Sequence, residues 1–215
     1  MRYSEMKAFE KERAARQARG QASERPLLLG AGKLIWWSVL LLVMLGLMLV
    51  GCASQAVYRD TGVAMTTQGK IDSGRYQGLW YEIARFPNSF EEGCVAVTAE
   101  YAQNPDGTIR VLNTCRQGTL DGPVEVAEGV ATVTNADGDR LEVTFVPWLP
   151  FAKGDYWILA TDYQVAVIGT PSGSVGWVLA RSPSLPADKL AAALDVLAAN
   201  GYDTAQIYLT PQAPR

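Results

Sequence analysis

The sequence predicts an all-β fold: an eight-stranded antiparallel up-and-down barrel with one C-terminal α-helix packed outside, preceded by an N-terminal membrane segment. Three observations predict it. From Gly78 onward, short β-rich runs alternate with turn residues every 8–12 positions. The connections are short enough for consecutive hairpins, and a meander of eight strands leaves no exposed edge only if it closes on itself. Before all this, an uncharged run spans Leu34 to Gly51.

The runs follow in order. Leu79–Phe86 ends at Pro87-Asn88. Cys94–Gln103 and Thr108–Arg116 flank Asn104-Pro105-Asp106-Gly107, a strong hairpin signal. Val124–Thr134 and Arg140–Val146 flank Asn135-Ala136-Asp137-Gly138-Asp139. Asp155–Thr161 and Gln164–Thr170 meet at Asp162-Tyr163, and Gly176–Arg181 follows Pro171-Ser172-Gly173. A helix then starts with Ser184 as cap and Pro186 in its first turn. Leu190, Leu194 and Leu197, with Ala191 and Ala198, make an apolar stripe suited to packing on a sheet, and Gly201 ends it. Gln206–Thr210 is a last short strand.

The uncharged run divides the charges. Residues 1–52 hold eight Lys/Arg against four Asp/Glu, and the remainder holds 11 basic and 18 acidic residues. An acidic main domain argues against a nucleic-acid partner, since phosphate contacts need clustered Lys/Arg. The chain has no histidine. That excludes Ser-His-Asp and Cys-His catalysis and a histidine-ligated zinc site; no metal, cofactor or catalytic constellation is expected.

Four segments result: a basic cytoplasmic region 1–33, a hydrophobic signal or transmembrane segment 34–51, a linker 52–72 and the barrel domain 73–215. Residues 3–19 have the composition of an exposed, charged helix. Eighteen residues of helix rise roughly 27 Å, close to the hydrocarbon thickness of a bilayer, and the basic residues up to Lys33 stay cytoplasmic by the positive-inside rule. Leu49-Val50-Gly51-Cys52 resembles the bacterial lipobox, in which cleavage before the cysteine leaves it as an acylated N-terminus. The resemblance implies a lipid such as palmitate on Cys52, with Ala53 as an outer-membrane sorting residue. An uncleaved inner-membrane anchor is the alternative, and either one tethers the domain. Residues 53–72, poor in large apolar side chains, read as linker.

Cys94 and Cys115 sit near the outer ends of the first hairpin. If Gln103 opposes Thr108, their parity places both on one face, offset by two residues, within reach of a diagonal pair or one bulge. A disulfide closing this loop would stabilise by roughly 3 kcal/mol on the chain-entropy model.

Gly78-Leu79-Trp80-Tyr81-Glu82-Ile83-Ala84-Arg85-Phe86-Pro87, with Thr161-Asp162-Tyr163 and Trp177-Val178-Leu179-Ala180-Arg181 after it in order, resembles the motif set of lipocalins, particularly the bacterial outer-membrane lipoprotein lipocalin and apolipoprotein D group. The likeness spans residues 71–210. It implies a barrel base in which Trp80 plugs the closed end under Arg181, Gly78 lets the chain cross tightly, and Asp162 and Tyr163 fix the adjoining loop. It further implies a lipid-like ligand, a fatty acid or lysophospholipid, carried or scavenged in the bacterial cell envelope at the outer membrane facing the periplasm. The expected contacts are an aromatic mouth, Trp148, Phe151 and Trp177, with Tyr156 beside it. A packed interior, an enzyme using Glu82 or Tyr156 as acid or base, and an interaction module on an uncleaved anchor are the competing readings. A homodimer stays open.

Overall fold

A computed structural model describes residues 56–149 and 151–213. The charged N-terminal region, the apolar segment and Cys52 lie outside them. Among the described residues no helix is long and apolar enough to cross a membrane.

The barrel is closed. A four-residue helix α1 (Ser73–Tyr76) leads into β1 (Gly78–Arg85), β2 (Cys94–Gln103), β3 (Ile109–Gln117), β4 (Val124–Val133), β5 (Arg140–Thr144), β6 (Gly154–Thr161), β7 (Val165–Gly169) and β8 (Gly176–Ala180). Each strand pairs antiparallel with the next, and β1 pairs with both β2 and β8, so the ring has no free edge. Helix α2 (Ala187–Ala199) packs on the outside, and a two-residue strand β9 (Tyr208–Leu209) joins the outer half of β1. The expected eight strands are thus present, each within two residues of its predicted bounds. The helix cap differs: Pro186 occupies the N-cap, with no side-chain cap bond, so Ser184 does not serve as one. Gly201 ends α2 with φ +86°, the left-handed geometry that glycine adopts cheaply.

Alternation along the strands builds two cores. One face of Ile83, Phe86, Val167 and Val178 packs outward beneath Leu197 of α2; the other places Trp80, Tyr101, Val111, Ile158, Ile168 and Leu179 in the lumen. The connections 104–108, 135–139 and 162–164 share one end with α1 and the start of β1. The connections 86–93, 118–123, 145–153 and 170–175 form the opposite rim.

The expected linker is ordered structure. Residues 56–72 run down the outside of the barrel from the rim to the base. Tyr58 stacks on Phe86 with ring centroids 5.0 Å apart and donates its hydroxyl hydrogen bond to the Pro87 carbonyl at 2.7 Å. Buried Arg59 donates to the carbonyls of Asn200 (3.0 Å), Pro171 (2.7 Å) and Val63 (2.5 Å). Lower down, Asp139 Oδ2 accepts from Gly69 N at 2.7 Å. The folded unit therefore begins some 15 residues before the predicted boundary. Its few large side chains are anchors, which composition averaged over the segment hides.

The disulfide is present, with Cys94 and Cys115 joined at 2.07 Å and their Cα atoms 5.5 Å apart. The register that forms it differs from the predicted one. Gln103 opposes Ile109 rather than Thr108, which alone would put the two thiols on opposite faces. A bulge between Val95 and Thr98, with Ala96 at φ +50°, shifts the register by one and returns both cysteines to the same face.

Candidate functional site

The base of the barrel is built around Trp80, fully buried, with the Arg181 guanidinium carbon 3.8 Å from its ring centroid. Arg181 also donates to the carbonyls of Leu79 (2.6 Å), Arg75 (2.8 Å) and Gln77 (2.7 Å), so one cation satisfies the end of α1 and clamps it under the barrel. The indole Nε1 of Trp80 donates to Tyr76 O at 2.8 Å. Gly78, at φ +88°, makes the crossing that a residue with a Cβ would resist. Asp162 Oδ1 accepts from the amides of Gln164 (2.8 Å) and Val165 (2.7 Å), closing the β6–β7 turn, while the Tyr163 hydroxyl accepts from Asp72 N at 2.9 Å. The five residues predicted for the base all lie at that end of the barrel; Trp80, Arg181 and Tyr163 bond to α1 and its flanks, and Asp162 bonds within its own turn.

Beside this plug, between α1 and the basal turns, is a cavity of about 150 Å³. Its wall is apolar where Ile109, Ala131, Leu141, Val143 and Ile158 face inward, and its polar lining is a cluster of three tyrosines with Ser73, Gln77 and Gln103. Tyr156 OH lies 2.9 Å from Tyr76 OH and 3.0 Å from Tyr101 OH. Three hydroxyls making two bonds among themselves leave one O–H proton uncommitted within the cluster. Burial holds Tyr156 and Tyr76 well above the usual phenol range and pushes Tyr101 up to about 12, so the cluster stays neutral and can offer a hydrogen bond without a charge.

The cavity lies in the half of the barrel nearest Trp80, and its lining reaches Gly107 and Gly138 in the basal turns. Of the four residues expected to contact a ligand, Tyr156 lines it. Trp148 and Phe151 stand out into solvent at the rim. Trp177 is half-buried in the upper lumen, where its Nε1 donates to Glu91 Oε2 at 3.1 Å. These three do not line the cavity. At the level of Trp177 the upper lumen carries a buried polar cluster: Arg85 Nη1 contacts Glu82 Oε1 at 2.5 Å, its Nη2 donates to the carbonyls of Glu91 (2.9 Å) and Cys94 (3.0 Å), and Thr210 donates to Glu82. Burial pushes the Glu82 carboxyl up to about 8, with the nearby Glu91 adding to the rise and Arg85 opposing it. Both Glu82 and Arg85 face inward because a bulge between Glu82 and Ala84 turns Ile83 and Ala84 together to the outside.

Sequence reasoning missed Tyr76 and Tyr101. The only signal for Tyr101 was its alternation along β2, and Tyr76 lies before the first predicted strand, in a stretch of the domain for which no element was predicted.

Residues 71–212 match the family model described as a lipocalin-like domain. The chain is 37% identical over 150 residues to temperature-induced lipocalin-1 of Arabidopsis thaliana, covering 65% of this chain and 78% of that protein. It is 36% identical to apolipoprotein D of Mus musculus (68% and 79% covered) and 32% identical to outer membrane lipoprotein Blc of Escherichia coli (77% and 90% covered). Among solved structures, the cockroach allergen Per a 4 superposes with a TM-score of 0.55 at 22% identity, covering 70% of this chain and 94% of that one. Lobster apocrustacyanin A1 does so at 0.55 and 18%, covering 66% and 81%. These two share the fold.

Proposed function

The chain belongs to the lipocalin family, in the group of apolipoprotein D and the bacterial outer membrane lipoprotein, and from that premise we propose that it is a membrane-tethered barrel binding and carrying a lipid-like molecule in the bacterial cell envelope. The observation that carries the reading is the cavity: bounded by α1 and the basal turns, largely apolar in its wall, with a neutral hydroxyl cluster on one side. Such a site favours a molecule that is mostly hydrocarbon and holds one hydrogen-bonding group. An apolar cavity of this size takes a benzene-sized group, so a fatty acid or lysophospholipid sends only part of its length into it. The tether rests on the apolar run and Cys52, and on the outer-membrane relative.

Binding is proposed over catalysis. Tyr156 keeps its proton at neutral pH and is a poor base, and Glu82 is engaged by Arg85 and Thr210 away from the cavity. Titrating residues 56–215 with a fatty acid and with a lysophospholipid, followed by tryptophan fluorescence, tests the reading. A saturable change is expected; a folded barrel showing none would exclude it.

A further inference from the structure

The wall of the cavity grades from buried to exposed in one direction. Tyr101, Ala131, Leu141 and Ile158 are buried, whereas Ser73, Gln103, Gly107 and Val133 are exposed. The exposed members belong to α1, to the last residues of β2 and β4 and to the β2–β3 turn, all at the end of the barrel that holds Trp80. Among the described residues, the connections of the opposite rim contribute nothing to the lining.

Two ties flank this exposed stretch. Ile71 N donates to Asp137 O at 2.8 Å, and Gln77 Oε1 accepts from Gln103 N across a long 3.4 Å. Between them the β2–β3 turn stands clear of α1, since a Cβ placed on Gly107 would meet no atom within 4 Å. Arg181 fastens α1 from its other side, through the carbonyls of Arg75 and Gln77.

The lining also selects by charge. Among the described residues no Lys, Arg, Asp or Glu lines the cavity, so a charged group drawn inside loses its hydration and meets no counterion. The tyrosine trio is neutral and has one O–H to give. An uncharged acceptor, such as a carbonyl or ether oxygen, is its complement.

We propose that the cavity is entered from the base of the barrel, between α1 and the β2–β3 and β4–β5 turns, and that it holds a compact uncharged molecule whose acceptor oxygen meets the tyrosine trio. The proposal rests on the reading of the cavity as a ligand site and adds its entrance and the charge class of its occupant. A fatty acid places only its chain inside, leaving the carboxylate in water beside Gln77 and Gln103.

The test uses the full chain in a zwitterionic detergent, with each probe's partition into protein-free micelles subtracted. Acetophenone, ethylbenzene and benzoate share a ring that a cavity of this size takes and differ in acceptor and charge. Acetophenone is expected to bind about tenfold more tightly than ethylbenzene and about a hundredfold more tightly than benzoate. Tyr156→Phe is expected to erase the preference over ethylbenzene while the far-ultraviolet circular dichroism stays the same. Trp80, whose ring centroid lies 5.0 Å from that of Tyr76, reports filling in stopped-flow fluorescence. Ser73→Phe with Gln103→Phe narrows the base and is expected to slow acetophenone association by about tenfold, with affinity held within about threefold. Phe90→Ser with Phe151→Ser at the opposite rim is expected to leave that rate unchanged. A base variant that associates at the wild-type rate, or a rate changed by the rim variant alone, overturns the basal entrance. Benzoate binding as tightly as acetophenone overturns the charge class. If a fatty acid saturates the protein and acetophenone does not bind, the proposal falls and the carrier reading stands. If neither binds, both fall.

Discussion

The Tyr156 hydroxyl sits between those of Tyr76 and Tyr101, at 2.9 and 3.0 Å, and so joins the basal plug to the barrel wall. Tyr156→Phe leaves both neighbours without that partner. A loss of about 1–2 kcal/mol in unfolding free energy follows, read from the urea midpoint. A ligand whose polar group meets the cluster should lose about tenfold in affinity, the equivalent of one hydrogen bond.

Arg181 and Trp80 act as one unit at the base. Trp80→Ala empties the plug and should cost about 3–5 kcal/mol. Arg181→Ala strips the donor from the carbonyls of Arg75, Tyr76, Gln77, Leu79 and Tyr163 and lifts the cation from the ring, for about 2–4 kcal/mol. Arg181→Lys should recover little, because an ammonium cannot span the carbonyls that the guanidinium fork reaches. Hydrogen exchange of the amides of Ser73 to Gln77 separates local from global effects: Arg181→Ala is expected to speed exchange there first.

Stability should fall as pH rises. Glu82 holds its proton more tightly in the folded barrel, up to about 8, than in the unfolded chain. Its contribution is therefore complete below the ordinary glutamate pKa and is lost as pH climbs through about 8. Glu82→Gln keeps the shape of the protonated acid and should flatten the melting temperature between pH 5 and pH 9, as measured by thermal unfolding in matched buffers. An unchanged slope would place the titration elsewhere.

Reducing the Cys94–Cys115 bridge, or replacing both cysteines by serine, should cost about 3 kcal/mol. Urea unfolding with and without reductant measures it.

A chain starting at residue 73 should be less stable than one starting at residue 56 by at least about 3 kcal/mol, since it loses the burial of Tyr58 and the three carbonyl bonds of Arg59. Arg59→Ala in the longer chain should reproduce much of that loss by itself.

Much of the fold was legible because the pattern that writes it is local. Asn104-Pro105-Asp106-Gly107 sets its turn with Gly107 at φ +87° and Asp106 accepting from Thr108 N at 2.9 Å, interactions confined to neighbouring residues. The base was legible through the order of its motifs. Register was not. The bulge at Val95–Thr98 depends on packing across strands, and a one-residue error there reverses every face. Asp139 and Arg59 read as a turn residue and a linker charge, yet each is buried by partners 70 or more positions away in sequence. Of the expected ligand contacts only Tyr156 lines the cavity. Aromatic residues at the mouth are visible in the sequence, whereas the buried Arg85–Glu82 pair exists only once the barrel has closed.

The cavity itself is tested most directly by filling it. Ala131 is buried in its wall, and Ala131→Phe places a ring in the space at an overpacking cost of about 1–3 kcal/mol. Calorimetric titration of folded wild-type and Ala131→Phe protein with the same fatty acid or lysophospholipid should show saturable binding in the first, weakened about tenfold or more in the second. Equal affinity in both proteins would mean that the ligand lies elsewhere, and the account of the lumen as the binding site would be contradicted.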